Sequence, residues 1–342
     1  LLIKRLGSVC VAVPAAVLFR NHWALVSGIL AGRLLAVGTS YWIHPYRPRL
    51  TLAACRELFG FSRWMLLNNL LSFLKERAPD FVIGRTLGPA SVGTYNMGAE
   101  IANMPTAELA APVNRAMLPG YAVASRGTAL AKTYLTTLGT LALFVIPAGC
   151  GLMSLADPIV TVLLGEKWRP AVPVLAIMSI HGMVAALQSL GYTLMIACNR
   201  PHVPARLNSI HVILMLALLV TFTSRYGLQG AALAYLSTAL VMAPIMLYFV
   251  TRLVGVEFRD VMAVVWRPAL ASAAMVVTLW LWNPARLDAT THPGLVGLLA
   301  GVLVGATVYL GALAVLWLAC GRPDGPERSC VGFLRSRGLQ TV

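Results

Sequence analysis

The sequence predicts an all-α polytopic membrane protein, and three observations lead there. The chain is 58% apolar and only 11% charged over 342 residues, against roughly 45–50% and about 25% in soluble domains. Its apolar residues fall into about ten segments near the length of about 20 residues that spans a bilayer as a helix. The basic residues, which give a net charge of +15, concentrate between those segments and favour alternate connections. With the N-terminal end cytoplasmic, 18 of the 27 Lys and Arg fall on the cytoplasmic side, six on the far side, and Arg33, Lys75 and Arg77 at bilayer depth. That bias follows the positive-inside rule.

The segments run in order as follows. Residues 7–19 form a short first span and 23–43 a second. The basic connection HPYRPRLTLAACRE follows. Residues 58–86 and 90–118 make the third and fourth spans, separated by the break at Gly88 and Pro89. The fifth covers 129–155. DPIVTVLLGEKWRPA then reads as a polar-apolar connection to the sixth, 172–197. The seventh is 203–221, the eighth 228–250, the ninth 261–282 and the tenth 294–319. Pro147, Pro173 and Pro244 read as kinks or helix starts. The tail from residue 320 is basic and contains Gly and Pro.

Composition and motifs exclude several classes. The cysteines have no CxxC spacing and the histidines form no HExxH pair, so neither metal nor cofactor is expected. No aromatic-basic platform for nucleic acid is present. A membrane glycan polymerase or glycosyltransferase would place an acidic pair in a loop, and Asp157 with Glu166 is the acidic loop candidate. His181 and Gln188, at i and i+7, share a face that reads as an interior pair or, less favoured, as an addition to a cavity.

The third and fourth spans are unlike the rest. FGFSRWMLLNNLLSFL runs into KERAPD, and the next segment carries Glu100 and Glu108. Charges at bilayer depth are costly and face a bundle interior or a wet cavity. Asn69, Ser72, Glu76 and Asp80 form one helical stripe; Asn96, Glu100 and Asn103, with Glu108 eight residues beyond Glu100, form another. Two such stripes make a wall of a wet cavity, or hold neighbouring helices together by hydrogen bonds. Arg77 and Asp80, three apart, have the spacing of an ion pair.

An internal repeat adds to this. WALVSGILAGRLLAVGTSY pairs with YGLQGAALAYLSTALVMAP in a register that sets Ala24 on Gly227, Leu25 on Leu228 and Arg49 on Arg252, an offset of 203 residues. Six of the ten segments fit one period, which implies two six-helix halves, as in many transporters. On that reading the chain, which begins at Leu1 without a signal-type n-region, is the later part of a longer protein whose first four helices lie upstream.

The run ELFGFSRWMLLNNLLSFLKERAPDFVIGRTLGPASVGTYNMGAEIANMPTAELAAPVNRAMLPGYA resembles the polysaccharide (lipopolysaccharide, O-antigen or exopolysaccharide) flippases of the MOP exporter superfamily. LGPASVGTYNMG is similar to their LG-x-x-x-x-G-x-Y turn, and HPYRPRLTLAACRELFGFSRW to their inter-lobe link. The resemblance implies a two-lobed bundle lacking its first four helices. Residues 1–45 would end the N-terminal lobe, 46–57 link the lobes at the cytoplasmic face, 58–251 form the six-helix C-terminal lobe, 252–319 two additional helices and 320–342 a cytoplasmic tail. It implies alternating-access transport, not enzymatic catalysis, in a bacterial inner membrane.

The implied cargo is an oligosaccharide on undecaprenyl diphosphate. Its tail stays among membrane lipids, a proton or sodium ion drives the cycle, and polysaccharide assembly enzymes are partners. A diphosphate needs cations, and Arg77, Lys75, Arg33 and Arg63 are the candidates. Asp80, Glu100, Glu108, Glu76, Asn69 and Asn103 are the candidates for ion coupling or for the polar cavity wall. The competing reading is a MATE-like small-molecule exporter of the same superfamily, which also uses acidic cavity residues.

Overall fold

Helix after helix, the computed structural model describes residues 2–19, 23–43, 55–123, 128–282 and 293–320. The connection at 44–54 and the tail beyond 320, both assigned functions from sequence, lie outside the described residues. The chain divides into two compact units, residues 1–59 and 60–342.

In the first unit, α1 (Leu2–Phe19) packs against α2 (Trp23–Ile43). Small residues make the approach close. A side chain on Gly28 would lie 2.5 Å from the Ala12 Cβ and 2.9 Å from the Ser8 carbonyl. Between membrane helices such packing, not hydrophobic exclusion of water, drives association. Arg33 is exposed on α2.

The second unit comprises α3 (Cys55–Leu87) from residue 60 onward, α4 (Pro89–Val123), α5 (Thr128–Ser154), α6 (Ala156–Leu163), a 3-10 turn (Glu166–Ala171), α7 (Val172–Ala197), α8 (His202–Val254), α9 (Phe258–Trp282) and α10 (Pro293–Ala319). At about 1.5 Å per residue a straight 53-residue α8 would be about 80 Å long, far beyond the roughly 30 Å hydrocarbon layer. It folds back at Gly227, whose φ of 60° and ψ of −137° suit glycine alone. Consequently Leu207 and Val250 sit in one core cluster.

Counting both halves of α8, the described residues contain ten long helical segments, in keeping with the ten expected spans. Five stretches are long and apolar enough to cross a membrane by length and composition: residues 129–154, 166–197, 202–254, 258–282 and 294–319. The molecule is a multi-pass membrane protein.

The structure departs from the sequence reading in the connection after α5. DPIVTVLLGEKWRPA is not an irregular loop; it forms α6 and the 3-10 turn. Leu155, Ile159 and Val160 bury in the main core, which gives this short helix its hold, and Gly165 at φ 87° reverses the chain after it. Pro173 sits in the first turn of α7, where its missing N–H costs nothing. Pro147 and Pro244 lie inside α5 and α8.

Two clusters form the core. One gathers Ala78 and Ile83 of α3, Leu175 and Met178 of α7, Ala231 and Ala234 of α8, Met275 and Leu279 of α9 and Leu313 of α10. The other joins Tyr121, Leu138, Leu190, Leu194, Met242 and Val261. The last two helices therefore share their core with the preceding ones.

Candidate functional site

The polar stretch of α3 opens onto a cavity of about 600 Å³. From α3 come Lys75, Glu76, Arg77, Pro79 and Asp80; from α4 come Tyr95, Asn96, Ala99, Glu100 and Asn103. Met178 and His181 of α7 and Tyr235 of α8 complete the lining.

Local sequence explains the assembly. Pro79 lies inside α3, within the charged turn. Gly88, at φ 87°, ends α3 and lets α4 start at once. Where α4 meets α7, glycines remove the bulk that would keep them apart. A Cβ on Gly98 would lie 3.1 Å from the Ala171 carbonyl, and one on Gly182 would lie 2.7 Å from the Thr106 Oγ1 and 3.0 Å from the Asn103 Oδ1. That approach carries His181 and Asn103 to the same cavity.

Asp80 organises the electrostatics. Its Oδ2 lies 3.4 Å from the Arg77 Nη1, and its Oδ1 accepts a hydrogen bond from the Asn96 Nδ2 at 2.9 Å. The Arg77 side chain remains 59% exposed and that of Asp80 29%, so this pair is open to water and worth little to stability. No carboxylate among the described residues is in ion-pair range of the half-buried Lys75. Its backbone carbonyl accepts a hydrogen bond from the Tyr235 hydroxyl. The His181 ring stands edge-on to the Tyr235 ring at 5.5 Å between centroids.

Of the residues singled out in the sequence, Lys75, Glu76, Arg77, Asp80, Glu100 and Asn103 are brought together here. Arg63, Asn69 and Glu108 are exposed and do not line this cavity. The Arg63 guanidinium lies 5.5 Å from the centre of the Trp64 ring. The expected stripe on α3 splits. Glu76 and Asp80 face the cavity, while Ser72 joins Asn68 in bonds from the Asn208 Nδ2, at 3.3 Å and 3.2 Å, that tie α3 to α8. Arg33 belongs to the other unit.

Of the two readings for His181 and Gln188, the favoured interior pair does not form: His181 faces the cavity, the less favoured reading, and the Gln188 amide donates to the Ala239 carbonyl at 2.8 Å. Their seven-residue spacing puts them two turns apart, far enough to meet different neighbours. Tyr95, Met178 and Tyr235 escaped the sequence reading, because aromatic and Met residues in an apolar helix carry no mark of facing a cavity. The acidic loop candidates, Asp157 and Glu166, are both engaged by Arg169, at 3.5 Å and 3.4 Å.

A second, apolar cleft of about 470 Å³ lies among Pro105 of α4, Leu143 and Pro147 of α5, Met275 of α9, and Gly301, Gly305 and Tyr309 of α10. Asn103 and Pro105, two residues apart on α4, border the polar cavity and the apolar cleft respectively.

Residues 1–173 match the model of a family described as polysaccharide biosynthesis protein. The chain is 25% identical over 282 residues to the lipopolysaccharide biosynthesis protein WzxC of Escherichia coli (strain K12), covering 79% of this chain and 56% of WzxC. It is 28% identical over 170 residues to the teichuronic acid biosynthesis protein TuaB of Bacillus subtilis (strain 168), covering 48% and 35%. It is 29% identical over 181 residues to the succinoglycan biosynthesis transport protein ExoT of Rhizobium meliloti (strain 1021), covering 52% and 36%. The chain thus matches about half the length of WzxC and about a third of TuaB and ExoT. Its fold is that of the lipid II flippase MurJ in an inward closed conformation, with a TM-score of 0.71 at 15% identity over 93% of this chain and 68% of that one.

Proposed function

Because the chain belongs to the polysaccharide biosynthesis protein family, we propose that it serves in a flippase that moves polyprenyl-diphosphate-linked oligosaccharide across a bacterial inner membrane. The observation that carries this reading is Lys75, a cation with no ion-pair partner among the described residues, on the wall of a cavity of about 600 Å³ midway along a long helix of a multi-pass bundle. A lysine held there needs an anion, and a diphosphate supplies one. Arg77 beside it adds a planar donor fork suited to phosphate oxygens. The relatives' names support the same reading: they are named for the biosynthesis of lipopolysaccharide, teichuronic acid and succinoglycan, and ExoT is named a transport protein.

On this reading the head group enters the polar cavity and exchanges Arg77 between Asp80 and phosphate. The apolar cleft beside it offers hydrocarbon surface for the isoprenoid tail. Asp80, Glu76 and Glu100, which line the cavity, would be the carboxylates that couple the movement to a proton or sodium ion. On this reading the chain acts as a transporter rather than an enzyme; Asp157 and Glu166, the acidic loop candidates, each pair with Arg169.

The test is deletion of the full-length gene in a strain without a redundant transporter. Undecaprenyl-linked glycan should accumulate on the cytoplasmic leaflet, and normal flipping would sink the proposal. One observation favours a second reading: the cavity holds three carboxylates against two cations, a balance that suits export of small cationic molecules. Raised sensitivity to such compounds with normal surface glycan would establish that alternative instead.

A further inference from the structure

Two hydrogen bonds between distant helices share one register. The Tyr235 hydroxyl of α8 donates to the Lys75 carbonyl of α3, and the Tyr309 hydroxyl of α10 donates to the Leu143 carbonyl of α5 at 2.7 Å. Lys75 lies four residues before Pro79, and Leu143 four before Pro147; both prolines are inside their helices. In an α-helix the carbonyl four residues back accepts from the N–H of the residue in question. Proline has no N–H, so these two carbonyls are the ones each proline strips of its intrahelical donor. Within a bilayer such a group must find another partner.

We propose that Tyr235 and Tyr309 stand in for the N–H groups that Pro79 and Pro147 lack, and that Tyr235 thereby positions the Lys75–Asp80 turn in the cavity. The surroundings fit this task. Ala78 on α3 and Ala231, Ala232 and Ala234 on α8 are all buried in one cluster, and the long Tyr235 side chain reaches from α8 to the main-chain oxygen on α3. The edge-on His181 fixes the ring that donates. Gly301, Gly305 and Ala306 line the apolar cleft with Tyr309.

Each proline and its tyrosine line one of the two pockets: Pro79 and Tyr235 the polar cavity, Pro147 and Tyr309 the apolar cleft. The device permits a bend in a helix wall without leaving a bare carbonyl facing hydrocarbon. At α3 the proline falls inside the charged stretch, so the carbonyl of Lys75 takes its donor from a residue 160 positions away. The role given to this turn in cargo contact rests on the function proposed above; the donor replacement does not.

The test is a set of double-variant cycles in the purified full-length protein, read as the midpoint of thermal unfolding. Tyr235→Phe and Tyr309→Phe should each lower the midpoint by a few degrees. In Pro79→Ala, which restores the N–H, Tyr235→Phe should lose less than a third of that. Tyr309→Phe in Pro147→Ala should behave likewise, whereas the crossed pair, Tyr309→Phe in Pro79→Ala, keeps its full loss because distant sites add. Equal losses from Tyr235→Phe in the wild type and in the Pro79→Ala background would overturn the donor replacement.

Positioning is read separately, from labelling of Arg77→Cys by a water-soluble cationic thiol reagent in a cysteine-free background. Tyr235→Phe should change that rate at least threefold and Tyr309→Phe should not; an unchanged rate with Tyr235→Phe overturns the positioning role. Neither readout uses transport, so failure of the unaltered protein to flip lipid-linked glycan would count against the proposed function alone.

Discussion

Replacing Lys75 by Met separates a cargo contact from a structural charge, because the two roles predict opposite signs. Met matches the four-atom stem of the lysine side chain, with a thioether in place of one methylene, and lacks the ammonium. Lys75 is half-buried, and no carboxylate among the described residues is in ion-pair range. Holding that charge partly out of water costs free energy with no direct ion pair to offset it. Lys75→Met should therefore leave stability within about 1 kcal/mol of the wild type, tending upward. A charge-assisted hydrogen bond to a phosphate oxygen is worth about 1.5–3 kcal/mol. Its loss converts to a drop of roughly 10- to 150-fold in transport at low cargo concentration. The assay reconstitutes the full-length protein in proteoliposomes with a fluorescent polyprenyl-diphosphate glycan, with unfolding midpoints measured on the same preparations. Wild-type transport in Lys75→Met, or a transport loss matched by lost stability, would refute the reasoning.

Four further outcomes are expected. Asp80→Asn removes a water-exposed pair and should cost only about 0.2–1 kcal/mol of stability. If Asp80 serves to balance Arg77, transport in the Arg77→Gln and Asp80→Asn double variant should exceed that of Arg77→Gln alone. Asn114→Ala breaks bonds to Ser189 at 2.7 Å and Thr193 at 2.9 Å between α4 and α7, and at about 0.6 kcal/mol each it should lower stability by about 1 kcal/mol in a detergent-unfolding titration. Gly182→Val drives a side chain into Thr106 and Asn103, costing about 1–3 kcal/mol and reducing transport as the cavity wall shifts. Glu108→Gln, outside the cavity, should leave transport unchanged in the same vesicle assay; a large loss would place ion coupling elsewhere than at Glu76, Asp80 or Glu100.

The class of molecule and its helices were legible in the sequence, because a bilayer sets a length and a polarity for every span and each can be read locally. The same rule made KERAPD conspicuous: charges inside an apolar run are costly anywhere in hydrocarbon, so their presence marks a site before any fold is known. Gly88 and Gly227, where backbone angles suit glycine, mark turns that the apolar pattern alone already places.

Which of the charges share a cavity was decided only by the tertiary structure. A helix's rotation about its axis depends on its neighbours, and here Gly98 and Gly182 set it by allowing close approach. That is why Ser72 and Glu76, one turn apart, part company, and why His181 leaves Gln188 for the cavity. It is also why the partner of the Lys75 carbonyl stayed hidden. Pro79 announces in sequence that a donor is missing, but nothing local to residue 75 says that Tyr235 supplies it.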